Sequence, residues 1–335
     1  MNLEDAVAVV LLVGIVAYAV FGGADFGAGF WDLVAGGAAR GERPRALISD
    51  AIGPVWEANH VWLIFCLVVL WTAFSEVFAS IGLTMFVPLT LAALGIVLRG
   101  SGFAFRKVVE STEERRLFGA AFAASSVIVP FCMGAIVGGI ASGRVPGGGR
   151  AGNIWDAWLN PTSVLGGVLA VVACAYLSAV FLVSDARRHH DEALAGYFRR
   201  RAIGAAIAAG VVAFAGLFIL RDEARHVYDG LFSRALPLVI LSGLCGVGAL
   251  VLLLRDAHRG GRVLAIGAVG SIIVGWGVAQ WPYLLPTSTT IGEAAAPDGT
   301  LWSVLVVFAM AAVTILPAIG FLYVLDQRSL LDAEA

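Results

Sequence analysis

The run Ile52-Gly53-Pro54-Val55-Trp56-Glu57-Ala58-Asn59-His60-Val61-Trp62-Leu63 leads into a stretch, Leu63 to Leu70, that is apolar throughout. A stretch of this length and character reads as a membrane-spanning helix. At its head a carboxylate, an amide and an imidazole lie within a turn of one another, between two tryptophans. Ionisable groups at membrane depth are costly, so they are kept where they are paired or carry protons. Glu57 is therefore the first candidate functional residue.

The rest of the chain shares this solvent. Of its 335 residues 59% are hydrophobic and 14% charged, with a mean hydropathy of +0.89. A soluble domain carries roughly 25% charged residues. The sequence predicts an all-α, polytopic membrane protein folded as a single integral-membrane domain. Nine spans are expected, at about 5–34, 46–72, 77–100, 117–140, 162–184, 202–220, 231–254, 263–285 and 300–325, arranged as two four-helix bundles plus one helix. Met1 to Asp5 carry Glu4 and Asp5 and no cation, so this end reads as the flank of a first span and not as a cleaved signal peptide. The longest connection, about 141 to 161, holds Gly147-Gly148-Gly149 and two tryptophans and is expected to follow the membrane surface.

Charge sets the orientation. Loops after odd spans hold Arg40, Arg43, Arg45, Arg106, Lys107, Arg115, Arg116, Arg187, Arg188, Arg199, Arg200, Arg201, Arg255, Arg259 and Arg262, with Arg328 after the ninth. The opposite loops hold Arg144, Arg150, Arg221, Arg225 and Arg234. The positive-inside bias then puts the N-terminus outside and the C-terminus in the cytoplasm. A net charge of −2 and the absence of a basic domain argue against a nucleic-acid partner. Cys66, Cys132, Cys174 and Cys245 are scattered through apolar runs with no CxxC pair, so they read as packing residues and no metal site is expected.

Four intramembrane polar residues are candidates. Asp25 lies in Phe21-Gly22-Gly23-Ala24-Asp25-Phe26-Gly27-Ala28-Gly29-Phe30-Trp31-Asp32, where Gly22, Asp25, Gly29 and Asp32 share a helical face. It is either buried against a second helix that the glycines admit, or wetted at a helix end. Glu57 lies eleven residues along a helix starting near Ala46, about 16 Å in at 1.5 Å per residue. Pro54 stands close to that helix's start or at a kink. Glu57 either takes and gives protons or forms a structural pair with His60 or an arginine. His60 fits hydrogen bonding or proton relay first, a structural role second and ligation last, because His189, His190, His226 and His258 fall in loops and leave it no intramembrane histidine partner. Arg99, at the end of span 3, either snorkels or partners Asp25 or Glu57. Gln280-Trp281-Pro282-Tyr283-Leu284-Leu285-Pro286 closes span 8 as an interfacial belt.

Four motifs together, Gly-Ala-Asp-Phe-Gly-Ala-Gly around Asp25, Gly-Pro-Val-Trp-Glu-Ala-Asn-His-Val-Trp-Leu around Glu57, Leu98-Arg99-Gly-x-x-Phe-x-Phe-Arg106, and Trp281-Pro-Tyr-x-x-Pro-Thr-Ser288, resemble subunit II of the cytochrome bd-type quinol oxidases. The resemblance covers essentially the whole chain and matches in motif order, spacing and span number. It implies a terminal oxidase in the bacterial cytoplasmic membrane that oxidises quinol and reduces dioxygen to water. It further implies a heme-bearing subunit I that holds hemes b and d and the quinol site, none of the hemes being ligated here. Subunit II supports that partner, lines a proton route from the cytoplasm and can hold a structural quinone; some complexes add a small accessory subunit. Glu57 then falls on the family's proton-route carboxylate, which is Asp in some members, and Asp25 and Arg99 fall on its polar positions in spans 1 and 3. His60 has no uniform counterpart. A stand-alone proton-coupled transporter is the main rival reading, and a purely structural subunit the second. A transporter would purify colourless and alone, whereas an oxidase subunit travels with a pigmented companion.

Overall fold

The computed structural model describes residues 2–53, 56–108 and 112–327. Met1, Pro54 and Arg328 lie outside them. The chain runs α1 (Leu3–Ala17), a π-helical turn (Tyr18–Gly22), α2 (Gly23–Leu33), α3 (Ala38–Ile52), α4 (Trp56–Ala73), α5 (Ser75–Thr84), α6 (Phe86–Val108), α7 (Thr112–Ala141), α8 (Pro161–Arg188) and α9 (Glu192–Glu223). It continues through α10 (Arg225–Phe232), α11 (Leu236–Leu254), α12 (Gly261–Gln280), β1 (Tyr283–Leu285), β2 (Thr289–Thr290), α13 (Ile291–Ala294) and α14 (Asp298–Gln327). Among the described residues nine helices are long and apolar enough to cross a membrane, the first being the continuous α1–π–α2 unit Leu3–Leu33.

Four expected spans are divided or cut short, and the span expected at 202–220 is longer, Glu192–Glu223. The span placed at 46–72 is two helices. Helix α3 ends at Ile52, with Gly53 still in helical geometry and its amide on the Ser49 carbonyl, and α4 begins at Trp56. The segment ahead of it, α3, carries Arg40, Glu42, Arg43, Arg45 and Asp50, too many charges for lipid. The span at 77–100 divides at Met85 into α5 and a membrane helix, Phe86–Phe105, with Pro88 in its first turn, where proline's missing N–H costs nothing. The span at 231–254 starts at Leu236, after the separate α10. The span at 263–285 stops at Gln280, and Tyr283–Leu285 pairs with Thr289–Thr290 in a small antiparallel hairpin. That hairpin is the exception to the all-α class.

Side chains cap the helix ends that hydropathy alone leaves vague. Asn160 accepts from the Ser163 amide (3.0 Å) ahead of Pro161, and Asp191 accepts from the Leu194 amide (3.0 Å). Thr290 and Glu293 form a capping box on α13. Glycines let α7 and α8 touch backbone to backbone: a Cβ on Gly134 would strike the Gly166 carbonyl, and one on Gly166 would strike the Gly134 carbonyl. The Trp31 indole N–H donates to the Ala175 carbonyl at 2.8 Å and ties α2 to α8.

Alternate connections gather at one end, as expected of consecutive spans. Arg43 of α3 meets Asp191 (2.5 Å), Arg187 and Arg199 meet Asp256 (2.5 and 3.2 Å), and Arg262 meets Asp185 (2.5 Å). The opposite end carries Arg144 on Glu223 (2.8 Å) and the hairpin.

Candidate functional site

The first span carries its own irregularity. The π-helical turn Tyr18–Gly22 immediately precedes Asp25, and single π-turns of this kind often mark functional positions. Glycines in α2 then bring neighbouring helices to its surface. A Cβ on Gly27 would overlap the Cys174 carbonyl of α8, and one on Gly29 would overlap the Ser126 hydroxyl of α7. Of the face proposed from sequence, Gly29 admits another helix, whereas Gly22 is covered by the Tyr18 ring of its own segment.

Asp25 is buried. The Asn59 side-chain amide donates to its Oδ2 at 2.7 Å and, more weakly, to the Phe21 carbonyl at 3.4 Å. Asn59 is buried too, so α2 and α4 meet across an amide–carboxylate bond. Arg99 is 2% exposed, which excludes snorkelling. Its guanidinium donates to the Asp25 backbone carbonyl (2.9 Å) and to the Ser126 hydroxyl, and stacks over Phe26 (4.8 Å) and Phe122 (4.6 Å). Ser126 in turn donates to the Phe122 carbonyl at 2.6 Å. Burying a guanidinium costs several kcal/mol unless hydrogen bonds and favourable contacts offset it. Here two oxygen acceptors and two ring faces do so, and a desolvated cation–π contact contributes about 2 kcal/mol.

Glu57 lies elsewhere than the sequence suggested. Helix α4 starts at Trp56, so Glu57 sits in its first turn and not eleven residues along. It is exposed on this chain and makes no hydrogen bond or ion pair among the described residues, so the structural pairing with His60 is not formed. Nor is it deeper than Asp25, because Asn59, two residues further along α4, is the residue that reaches Asp25. Glu57 heads an exposed stripe at helical spacing: Val61 (43% exposed), Ile64 (60%), Val68 (50%) and Trp71 (65%). His60 is packed by the rings of Tyr18, Phe26 and Trp56 at centroid distances of 6.2–6.4 Å, and its buried Nδ1 has no partner among the described residues. Among the described residues no group of three or more His, Cys, Asp or Glu side chains is gathered for a metal.

A cavity of about 280 Å³ links this cluster to the Arg-rich end. Asp25 and Asn59 line one part of it, Ser178 lies between, and Asp185, Arg188 and Arg262 line the other. Asp185 accepts through one oxygen, Oδ1, from Arg262 (2.5 Å) and Arg188 (3.1 Å). Sequence reading missed Asp185 because it set the end of span 5 at 184, while α8 runs to Arg188. It also missed Ser126 as the guanidinium's acceptor; the adjacent Ser125-Ser126 pair in an otherwise apolar helix was the available signal.

These features define a polytopic helical membrane protein with a buried acid–amide–arginine cluster whose acid and amide line a cavity shared with Asp185, Arg188 and Arg262. The family model for "Cytochrome bd terminal oxidase subunit II" matches residues 3–326, and the chain belongs to that family. It is thus a subunit of a cytochrome bd terminal oxidase, an oxidoreductase complex. The chain is similar to cytochrome bd ubiquinol oxidase subunit 2 of Bacillus subtilis, 24% identical over 332 residues and covering 94% of this chain and 92% of the relative. It is also similar to cytochrome bd-I ubiquinol oxidase subunit 2 of Escherichia coli K12, 29% identical over 181 residues, 51% of this chain and 46% of the relative. A chain in the bd oxidase structure from Geobacillus thermodenitrificans shares the fold, with a TM-score of 0.77 and 23% identity over 96% of this chain and 98% of that one.

Proposed function

We propose that this chain is the proton-delivering subunit of a quinol oxidase of the bacterial cytoplasmic membrane, with the Arg-rich end in the cytoplasm and the hemes and quinol site in a partner subunit. The observation that carries the reading is the cavity shared by Asp185 and Asp25. At roughly 30 Å³ per water in the liquid, its volume admits several waters.

Dioxygen reduction consumes protons in a place that bulk water does not reach, so a lined route is required. In this route a proton is taken up at Asp185, whose Oδ2 makes no hydrogen bond among the described residues while Oδ1 is held by two arginines. Water in the cavity carries it past Ser178 to Asp25. The hydrogen bond that the Asp25 carboxylate makes among the described residues is with a neutral amide, and Arg99 holds the backbone carbonyl instead. The carboxylate can therefore gain and lose a proton without breaking an ion pair. Arg99 supplies nearby positive charge and fixes the geometry.

Glu57 hands the proton onward. A carboxylate facing hydrocarbon would be costly, so the α4 stripe that it heads is the face on which the partner subunit packs. When the hemes are bound in that partner they supply the electron chemistry; this chain's residues hold and move protons only. The test is purification from membranes. The chain should travel with a heme-bearing subunit that shows quinol-dependent oxygen uptake, and Glu57→Gln should keep the visible spectrum while slowing uptake. A colourless, solitary chain would support the transporter reading, and unchanged uptake would remove Glu57 from the route.

A further inference from the structure

A second cavity, of about 220 Å³, lies where the ends of α8 and α11 and the start of α9 meet the start of α12. Four guanidinium-bearing residues line it, Arg187, Arg199, Arg259 and Arg262, together with His258 and one carboxylate, Asp256. The general excess of arginine at this end does not require such convergence, since these four come from separate segments.

The charge is not balanced locally. Asp256 serves both Arg187 (2.5 Å) and Arg199 (3.2 Å), and Asp185 serves Arg262 (2.5 Å), so two carboxylates stand against four guanidinium groups. Arg187 and Arg262 each bury an Nε that has no acceptor among the described residues. Arg259 is exposed and makes no ion pair among those residues. Gly260, at φ 90°, turns the chain so that α12 begins at Gly261 with no side-chain cap, leaving its first amides and positive dipole end at the cavity wall. Orphaned guanidinium N–H groups and uncapped amides are complementary to one ligand chemistry, the phosphate oxyanion.

The cavity's other wall is apolar. Leu252 and Val263 line it, Val263 is 72% exposed, and Leu254 beside it is 57% exposed. Both belong to helices long and apolar enough to cross the membrane. A cationic pocket adjoining lipid-accessible aliphatic surface fits an amphipathic ligand better than a free ion. We propose that this cavity binds the phosphate of an acidic phospholipid headgroup, with the first acyl carbons against Leu252 and Val263. Such a lipid would hold together the α8–α9 and α11–α12 connections.

The test uses the full chain purified in detergent with whatever assembles on it, delipidated and titrated with phosphatidylglycerol, phosphatidylcholine or inorganic phosphate, bound ligand being counted by native mass spectrometry. The informative variant is Arg259→Glu, because Arg259 braces no backbone among the described residues; Arg259→Gln serves if the reversal impairs folding. The expected result is retention of phosphatidylglycerol over phosphatidylcholine, weakened about tenfold by Arg259→Glu and less by Arg259→Gln. Equal retention of the two lipids, or of phosphatidylglycerol by wild type and both variants, would overturn the proposal. Inorganic phosphate binding as tightly as phosphatidylglycerol would overturn the assignment to a lipid.

Discussion

Arg99 donates to the backbone carbonyl of Asp25 at 2.9 Å, while the Asp25 carboxylate is met by the Asn59 amide at 2.7 Å. Cation and acid are thus neighbours without being locked as an ion pair. The arrangement lets the acid change protonation state while the arginine stays fixed by Ser126 and two aromatic rings.

Replacing the cation should show in stability first. In Arg99→Gln, the Ser126 hydroxyl and the Asp25 carbonyl lose a charged donor in a buried site, and each such loss costs about 1–3 kcal/mol. The melting temperature of the purified protein in detergent should fall. Ser126→Ala, which removes one acceptor and leaves the carbonyl bond, should cost less. Equal melting of Arg99→Gln and wild type would mean that the guanidinium does not brace α2 against α7.

The α2–α8 contact is a steric prediction. Gly27 lies against the Cys174 carbonyl, a backbone atom that cannot turn aside as a side chain can. Gly27→Val should destabilise the protein by ~3 kcal/mol, the upper part of the range for overpacking. Detergent-solubilised yield and melting temperature both report it. Gly196→Ala, in α9 with open space around the added methyl, is the matched control and should be tolerated.

Acid sensitivity follows from Asp191, which lies between α8 and α9 outside the membrane-spanning segments. The Leu194 amide, and then Arg43, hold its carboxyl below the ordinary value of 3.8. A carboxylate with a depressed folded value contributes stability above its unfolded value and loses it as pH falls through the folded one. The tie from α3 to α9 should therefore be intact at neutral pH and weaken only below 3.8. Asp191→Asn, which keeps a capping oxygen but not the charge, should flatten this acid limb, as measured by melting temperature against pH. An unchanged limb would assign the acid response to other carboxylates.

The number of membrane helices was legible because it depends on length and apolarity, which a sequence carries directly. Helix ends were less so. The divisions after Ile52 and after Thr84 fall inside stretches whose hydropathy a window averages into single spans. The surroundings of Arg99 were legible only as a choice between snorkelling and a partnership with Asp25 or Glu57, since both use the same residue at the same helix end. Only the approach of α7, with Ser126 and Phe122, decides between them. Glu57 shows the converse. Its residue type marked it as functional, but its depth was inferred from a helix start placed ten residues too early, at Ala46 instead of Trp56. Asp185 lines the cavity from α8, and its partner Arg262 comes from α12, a pairing 77 residues apart in sequence.

The proton route is tested most directly by oxygen uptake of the purified complex carrying Asp25→Asn, with the reduced-minus-oxidised spectrum recorded on the same sample. Asparagine keeps the shape of the side chain and cannot carry the proton. The account predicts an unaltered heme spectrum with uptake reduced on the order of tenfold or more, the scale of a lost proton-transfer group. An unaltered spectrum with wild-type uptake would contradict it.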